Sequence, residues 1–213
     1  VGPAMTPEQA RQAVLTGFEL AGQLCRDGVQ VLGTGDMGIG NTTPSTAIIA
    51  AFSGIDVKKL TGRGTGVDDS AFENKINVIK KALDYHKPDP GDALDVLSKV
   101  GGFEIGGLAG LVIGAAAHGI PVVCDGLIST AGALVACELA PAAKYYLFAS
   151  HRSVEAGHRY MHEYLGLEPL LDIGFRLGEG TGAAVAMELL DASTRVLADI
   201  KTFEEVGIGN AQK

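Results

Sequence analysis

The 213-residue sequence has little cysteine and spaces it widely. Cys25, Cys124 and Cys137 are odd in number and far apart, so they form neither a disulfide framework nor a metal-ligand pattern, which fits a reducing cytoplasm. A long apolar run is also lacking. The longest, Ile105–Ala117, has 13 residues, whereas a bilayer-spanning helix needs about 20. Gly106, Gly107, Gly110 and Gly114 inside that run suit a buried helix approached closely by a neighbour. No signal-peptide pattern opens the chain, so the expectation is a soluble cytoplasmic protein with no membrane partner. Basic residues are scattered within a net charge of −8, and no basic stripe tracks phosphates, which argues against a nucleic-acid partner. With 46% hydrophobic and 20% charged residues the chain is too apolar for disorder and long enough for one large domain with a full core.

What the sequence has in quantity is glycine, 30 residues. Thr6-Pro7-Glu8-Gln9 reads as a helix start with an N-cap Thr and Pro at N1, and apolar spacing carries that helix to about Asp27. A strand at 29–33 leads into a glycine loop at 33–40, and Asn41-Thr42-Thr43-Pro44 starts a helix to about Phe52. A second glycine loop, 61–69, precedes a helix that Asp68 and Asp69 can cap and that carries Lys75. Helices are expected at 91–99, 104–118, 127–138, 152–165 and 181–199, with strands at 121–126 and 144–149. Short apolar strands alternating with helices predict an α/β fold: a Rossmann-like, mainly parallel sheet flanked by helices, with glycine loops at the strand carboxyl ends, where ligands of such sheets bind.

Residues 31–43, VLGTGDMGIGNTT, contain a GxGxxG made by Gly33, Gly35 and Gly38. A dinucleotide fingerprint needs a second strand and an acidic residue about 20 positions on. Asp56 lies near that distance, but the polar, glycine-broken GIDVKKLTG around it is poor strand material, and Asp36 puts a carboxylate where a pyrophosphate would lie. An NAD-dependent oxidoreductase is therefore the weaker reading. Ordinary turn chemistry accounts for many of the glycines, yet not for how often they stand beside acids, as in Gly35-Asp36, Asp125-Gly126 and Gly178-Glu179-Gly180. Backbone N–H groups at helix starts hold phosphate, and carboxylates beside them suit a phosphorylated sugar undergoing substitution at its ring.

Five blocks, GDMGIGNTTPSTAI, TGRGTGVDD, VVCDGLISTAGAL, ASHRSVEAGH and LGEGTGAAVAMELLDASTRVLADIKTFEEVGI, occur in order through nearly the whole chain. In them the sequence resembles the nicotinate-nucleotide:dimethylbenzimidazole phosphoribosyltransferase family of cobalamin nucleotide-loop synthesis. The resemblance implies transfer of phosphoribosyl from nicotinate mononucleotide to 5,6-dimethylbenzimidazole, with inversion at the anomeric carbon, release of nicotinate, no cofactor and no metal. Glu179 matches the family's catalytic glutamate, a general base for the benzimidazole N–H, and burial beside Leu177 is the expected means of raising its basicity. Asp36 stands where the family carries an acid, often Glu, and is a second catalytic candidate that supports the cationic sugar. Gly38, Gly64 and Thr65 match positions near the substrate phosphate, and Lys75, which alone would read as a solvated helix lysine, matches a lysine paired with it. Gly126 and Ser153 match positions lining the nucleotide pocket; Glu104 either joins them or caps its helix.

His158 and His162, four apart on a helix, are expected on an exposed face rather than at a metal. Family members run longer at the amino end, so residues 1–213 are expected to be the phosphoribosyl-binding large domain, a carboxyl-terminal part of a longer chain. A nucleotide-binding module without transferase activity is the alternative that this raises. The resemblance also implies a homodimer.

Overall fold

Side-chain caps set four of the helix starts in the computed structural model, which describes residues 2–63 and 68–208. Helix α1 (Pro7–Arg26) begins where the Thr6 hydroxyl accepts from the Gln9 amide while the Gln9 side chain accepts from the Thr6 amide, a reciprocal box satisfying two otherwise unpaired donors. There follow β1 (Leu32–Gly33), α2 (Thr42–Ser53), α3 (Val57–Leu60), α4 (Asp69–His86), α5 (Ala93–Val100) and α6 (Phe103–Ala117). After them come β2 (Val122–Cys124), α7 (Leu127–Leu139), a 3₁₀ turn at Pro141–Tyr146, β3 (Leu147–His151), α8 (Ala156–Leu165), β4 (Pro169–Leu171) and α9 (Thr181–Asp199). Asp56, Asp68 and Asp92 accept from backbone amides at the starts of α3, α4 and α5.

The sheet is parallel throughout, in the order β1-β2-β3-β4, with Leu32 opposite Val122, Val123 opposite Phe148 and Ala149 opposite Pro169. Sequential parallel order puts the carboxyl ends of all four strands on one rim. Alternation along β2 divides the core: Val122 and Cys124 join the main cluster, which includes Ile48, Leu97, Ile105, Val112 and Leu134, while Val123 meets Ala183 and Ala186 of α9 on the other face. Helices α1 and α6 pack backbone to backbone. A Cβ at Gly110 would overlap the Val14 carbonyl oxygen, and one at Gly17 would overlap that of Gly107. No helix among the described residues is long and apolar enough to cross a membrane.

The α/β reading holds, with shifts of detail. The strand expected at 144–149 lies at Leu147–His151, because Pro141 opens a 3₁₀ turn through Tyr146. The helix expected from 152 starts at Ala156. Strand β4 and helix α3 have no counterpart in the periodicity: β4 is three partly exposed residues on the sheet edge, and α3 is a single turn.

Candidate active site

The loop after β1 folds around one carboxylate. Asp36 Oδ1 accepts from the Gly38 amide at 2.8 Å and from Asn41 Nδ2 at 2.8 Å. The three glycines of GxGxxG serve contacts within the chain. A Cβ at Gly33 would meet Met187 Sδ at 3.0 Å, one at Gly35 would lie 2.5 Å from the Gly180 nitrogen, and one at Gly38 would overlap Asn41 Nδ2. After α2 comes α3 instead of a second strand, and Asp56 caps it by accepting from the Lys58 amide at 2.9 Å. The fingerprint is thus a surface likeness, and its glycines bring the β1 loop against the loop before α9.

That second loop carries Glu179. Gly178, Glu179 and Gly180 all have left-handed φ, at 78°, 58° and 79°, a conformation that costs a non-glycine residue of order 1 kcal/mol. Two neighbours hold it. The Glu179 amide donates to the Asp36 carbonyl at 3.2 Å, and the Gly180 amide donates to Asp125 Oδ2 at 3.0 Å. Asp125 Oδ1 accepts from the Gly182 and Ala183 amides at 2.8 and 3.2 Å, so this buried carboxylate caps α9, where the helix dipole favours negative charge. The expected burial of Glu179 beside Leu177 is not found. Glu179 is exposed and Leu177 is 68% exposed, because the loop lies at the rim, above the sheet.

Two cavities meet at this junction. One, of about 100 Å³, is lined by Asp36, Gly38, Asp125, Gly126, Leu127 to Ser129, His151, Ser153, Glu155, Arg176, Leu177 and Gly178. The amino end of α7, with Gly126 as its N-cap, opens into it. The other, of about 590 Å³, runs between the β1 loop and α9 past Gly33 to Met37, Glu179, Ala183, Ala184 and Met187. Asp36 lines both.

The structure brings together Asp36, Gly38, Gly126 and Ser153 around the first cavity and sets Glu179 in the second. Lys75 is half-buried, its Nζ donating to Thr42 Oγ1 at 2.8 Å and to the Gly62 carbonyl at 3.1 Å; desolvation lowers its pKa, against the opposing charge of Glu155. It is therefore no solvated surface lysine. Glu155, whose charge acts on Lys75, lines the first cavity, and its Oε2, packed against Gly62, is buried with no hydrogen-bond partner among the described residues. Gly64 and Thr65 lie outside the described residues. Glu104 stands on the first turn of α6 and lines neither cavity.

The exposed face expected for His158 and His162 is wrong. Both are buried, at 0% and 4% exposure, because His158, Met161, His162 and Leu165 form the inner face of α8. The Ser153 amide donates to His158 Nδ1 at 3.0 Å, so the ring proton sits on Nε2 and points at Thr130 Oγ1, 2.8 Å away. That bond fixes the backbone of Ser153 at the site. Desolvation holds His158 well below its ordinary pKa and takes His162 down to about 4. His151, also buried, has its pKa lowered by desolvation against the charge of Asp125, whose Oδ1 is 3.8 Å from its Nδ1. Among the described residues no group of three or more His, Cys, Asp or Glu is placed to hold a metal ion. Asp125, His151 and Arg176 line the first cavity and are not among the residues that sequence reasoning selects. Only the pairing of acid with glycine at 125–126 points toward the first of them.

A family model described as phosphoribosyltransferase matches residues 1–208. The chain belongs to this phosphoribosyltransferase family. Its relatives include the nicotinate-nucleotide–dimethylbenzimidazole phosphoribosyltransferase of Geobacter sulfurreducens, 58% identical over 207 residues covering 97% of this chain and 59% of that protein. The enzyme of the same name from Syntrophobacter fumaroxidans is 57% identical over 209 residues, covering 98% and 59%. The crystal structure of CobT from Thermus thermophilus superposes with a TM-score of 0.92 at 45% identity, covering 99% of this chain and 62% of that one. The chain thus spans 59% of the length of these curated relatives.

Proposed function

We propose that the chain is the phosphoribosyl-binding domain of a cytoplasmic, homodimeric enzyme that transfers phosphoribosyl from nicotinate mononucleotide to 5,6-dimethylbenzimidazole. The observation that carries this is the meeting of two carboxylate-bearing loops, at Asp36 and Glu179, between a cavity ending on a helix amino terminus and a wider one lined by Met and Ala side chains. The first cavity suits the phosphoribosyl end of the nucleotide, with Gly126 and the α7 amides facing anionic or hydroxyl oxygens and Ser153 and Gly38 on its walls. The family resemblance also assigns Gly64, Thr65 and Lys75 to the substrate phosphate. The second, walled by Met37, Met187, Ala183 and Ala184, suits a flat aromatic acceptor.

In this reading the free ring nitrogen of the benzimidazole attacks the anomeric carbon from the face opposite nicotinate. A C–N bond forms as the bond to nicotinate breaks, its electron pair leaving on the nicotinate nitrogen. Glu179 takes the proton from the second ring nitrogen, and Asp36 supports the positive charge on the sugar in the transition state. The products are α-ribazole 5′-phosphate and nicotinate.

The test is chromatographic measurement of nicotinate release with and without dimethylbenzimidazole, for the wild-type chain and Glu179→Gln. Release that requires the acceptor and falls by about 100-fold or more in the variant is expected of a general base; release equal in both refutes the assignment. The exposure of Glu179 favours a second reading for these residues alone, a nucleotide-binding module. That reading predicts calorimetric binding of the mononucleotide without release.

A further inference from the structure

We infer that Asp125 is a positioning residue for Glu179: its carboxylate holds the left-handed 178–180 segment in the one arrangement that aims the Glu179 side chain into the wider cavity. The inference rests on Glu179 being the base. Three observations support it. Asp125 is 2% exposed, yet it uses both oxygens on the loop and helix that follow β4: Oδ2 on the Gly180 amide, Oδ1 on those of Gly182 and Ala183. Glu179 keeps a φ of 58° that an isolated chain would leave, so something must over-determine it. The ties on either side of it are the Asp36 carbonyl at its own amide and Asp125 at the next. Finally, Asp125 cannot drift, because it follows directly on β2 and is packed against Gly182 and His151. A Cβ at Gly182 would overlap His151 Nδ1 and lie 2.9 Å from Asp125 Oδ1.

The carboxylate at the end of a central strand therefore anchors a loop reached 55 residues later. Asp125→Asn is a selective probe of that tie. The asparagine oxygen can keep the Gly182 and Ala183 amides, while its NH₂ group then faces the Gly180 amide, donor against donor. The α9 cap survives and the tie to the Glu179 segment is lost.

The experiment is a cycle of Asp125→Asn, Glu179→Gln and the double variant in the chain at its natural full length, read by nicotinate release and by calorimetric binding of nicotinate mononucleotide. Expected are a fall in kcat of about 100-fold for Asp125→Asn, the scale of an ångström-level misplacement, and mononucleotide binding still detectable by calorimetry, the sign of a folded domain. The double variant should be no slower than Glu179→Gln alone, since a base that is absent cannot be misplaced. Losses that multiply in the double variant overturn the inference while leaving Glu179 as the base. Wild-type turnover in Glu179→Gln overturns the base assignment, and the inference with it. If Asp125→Asn does not fold, Gly180→Ala strains the same segment with Asp125 intact: its Cβ meets only Thr34 O at 3.6 Å and Gly35 Cα at 3.7 Å, at a φ of 79°. Its loss must likewise vanish in the Glu179→Gln background, and multiplication there is again the refuting result.

Discussion

Gly35→Ala isolates the contact on which the site depends. A Cβ at Gly35 would lie 2.5 Å from the Gly180 nitrogen, 2.7 Å from its Cα and 2.9 Å from the Glu179 carbonyl carbon. All three are backbone atoms, so no side chain can swing away. Comfortable separation is about 3.5 Å, and restoring it moves the β1 loop and the Glu179 loop apart by roughly 1 Å. Overpacking of this kind costs about 1–3 kcal/mol of stability, which the fold can absorb, while the same displacement at a reacting group costs about 100-fold in rate. Nicotinate release should therefore fall by about 100-fold. Gly107→Ala is the control. Nothing lies within 4 Å of its Cβ position, and alanine in a helix gains up to about 1 kcal/mol over glycine. Wild-type turnover in Gly35→Ala would refute the argument that contact between these loops sets the position of Glu179.

Three further outcomes follow from the packing and the charges. Lys75→Met removes the half-buried ammonium beside Gly62 and Thr42 and should weaken mononucleotide binding by about 10–100-fold, the worth of one charge-assisted hydrogen bond; an unchanged calorimetric Kd would refute the phosphate role. Gly110→Ala drives a methyl into the Val14 carbonyl and should cost at least about 1–3 kcal/mol, a fall in Tm of about 2–4 °C per kcal/mol for a chain of this size. A melt within a degree of wild type would contradict the backbone contact of α1 with α6. His158 and His162 are buried and neutral, with folded-state pKa values below the ordinary 6.5 and that of His162 near 4. The unfolded chain binds more protons in that window, so stability is complete above about pH 6.5 and falls as pH drops toward 4, by about 1.4 kcal/mol per pH unit for each histidine. Urea midpoints equal at pH 7.5 and pH 5 would refute this.

Local chemistry makes much of the fold readable. The Thr6 box, the Asp68 cap, the apolar spacing of α4, the apolar glycine-bearing run of α6 and the glycine loop before α9 are short-range signals, and each helix forms close to where they place it. That Glu179, Asp36, Gly126 and Ser153 stand at the two cavities is legible as candidacy because their glycine-rich surroundings are contiguous in sequence and match a family block by block. Other features rest on neighbours far apart along the chain. The α8 histidines read as surface residues because histidine is polar, but they are buried because α8 packs on α7 and α3, with Thr130 and Ser153 supplying partners for His158. Strand β4 exists only because β3 lies beside it. Gly35 reads as part of a dinucleotide fingerprint and is a spacer for Gly180. Asp125 reads as one acid in a turn, and its role emerges only when α9 returns to the rim with three free amides. A helix start can be read from four adjacent residues because its hydrogen bonds close within one turn. A rim loop held by a residue 55 positions away depends on a parallel sheet bringing its strand ends to a single edge.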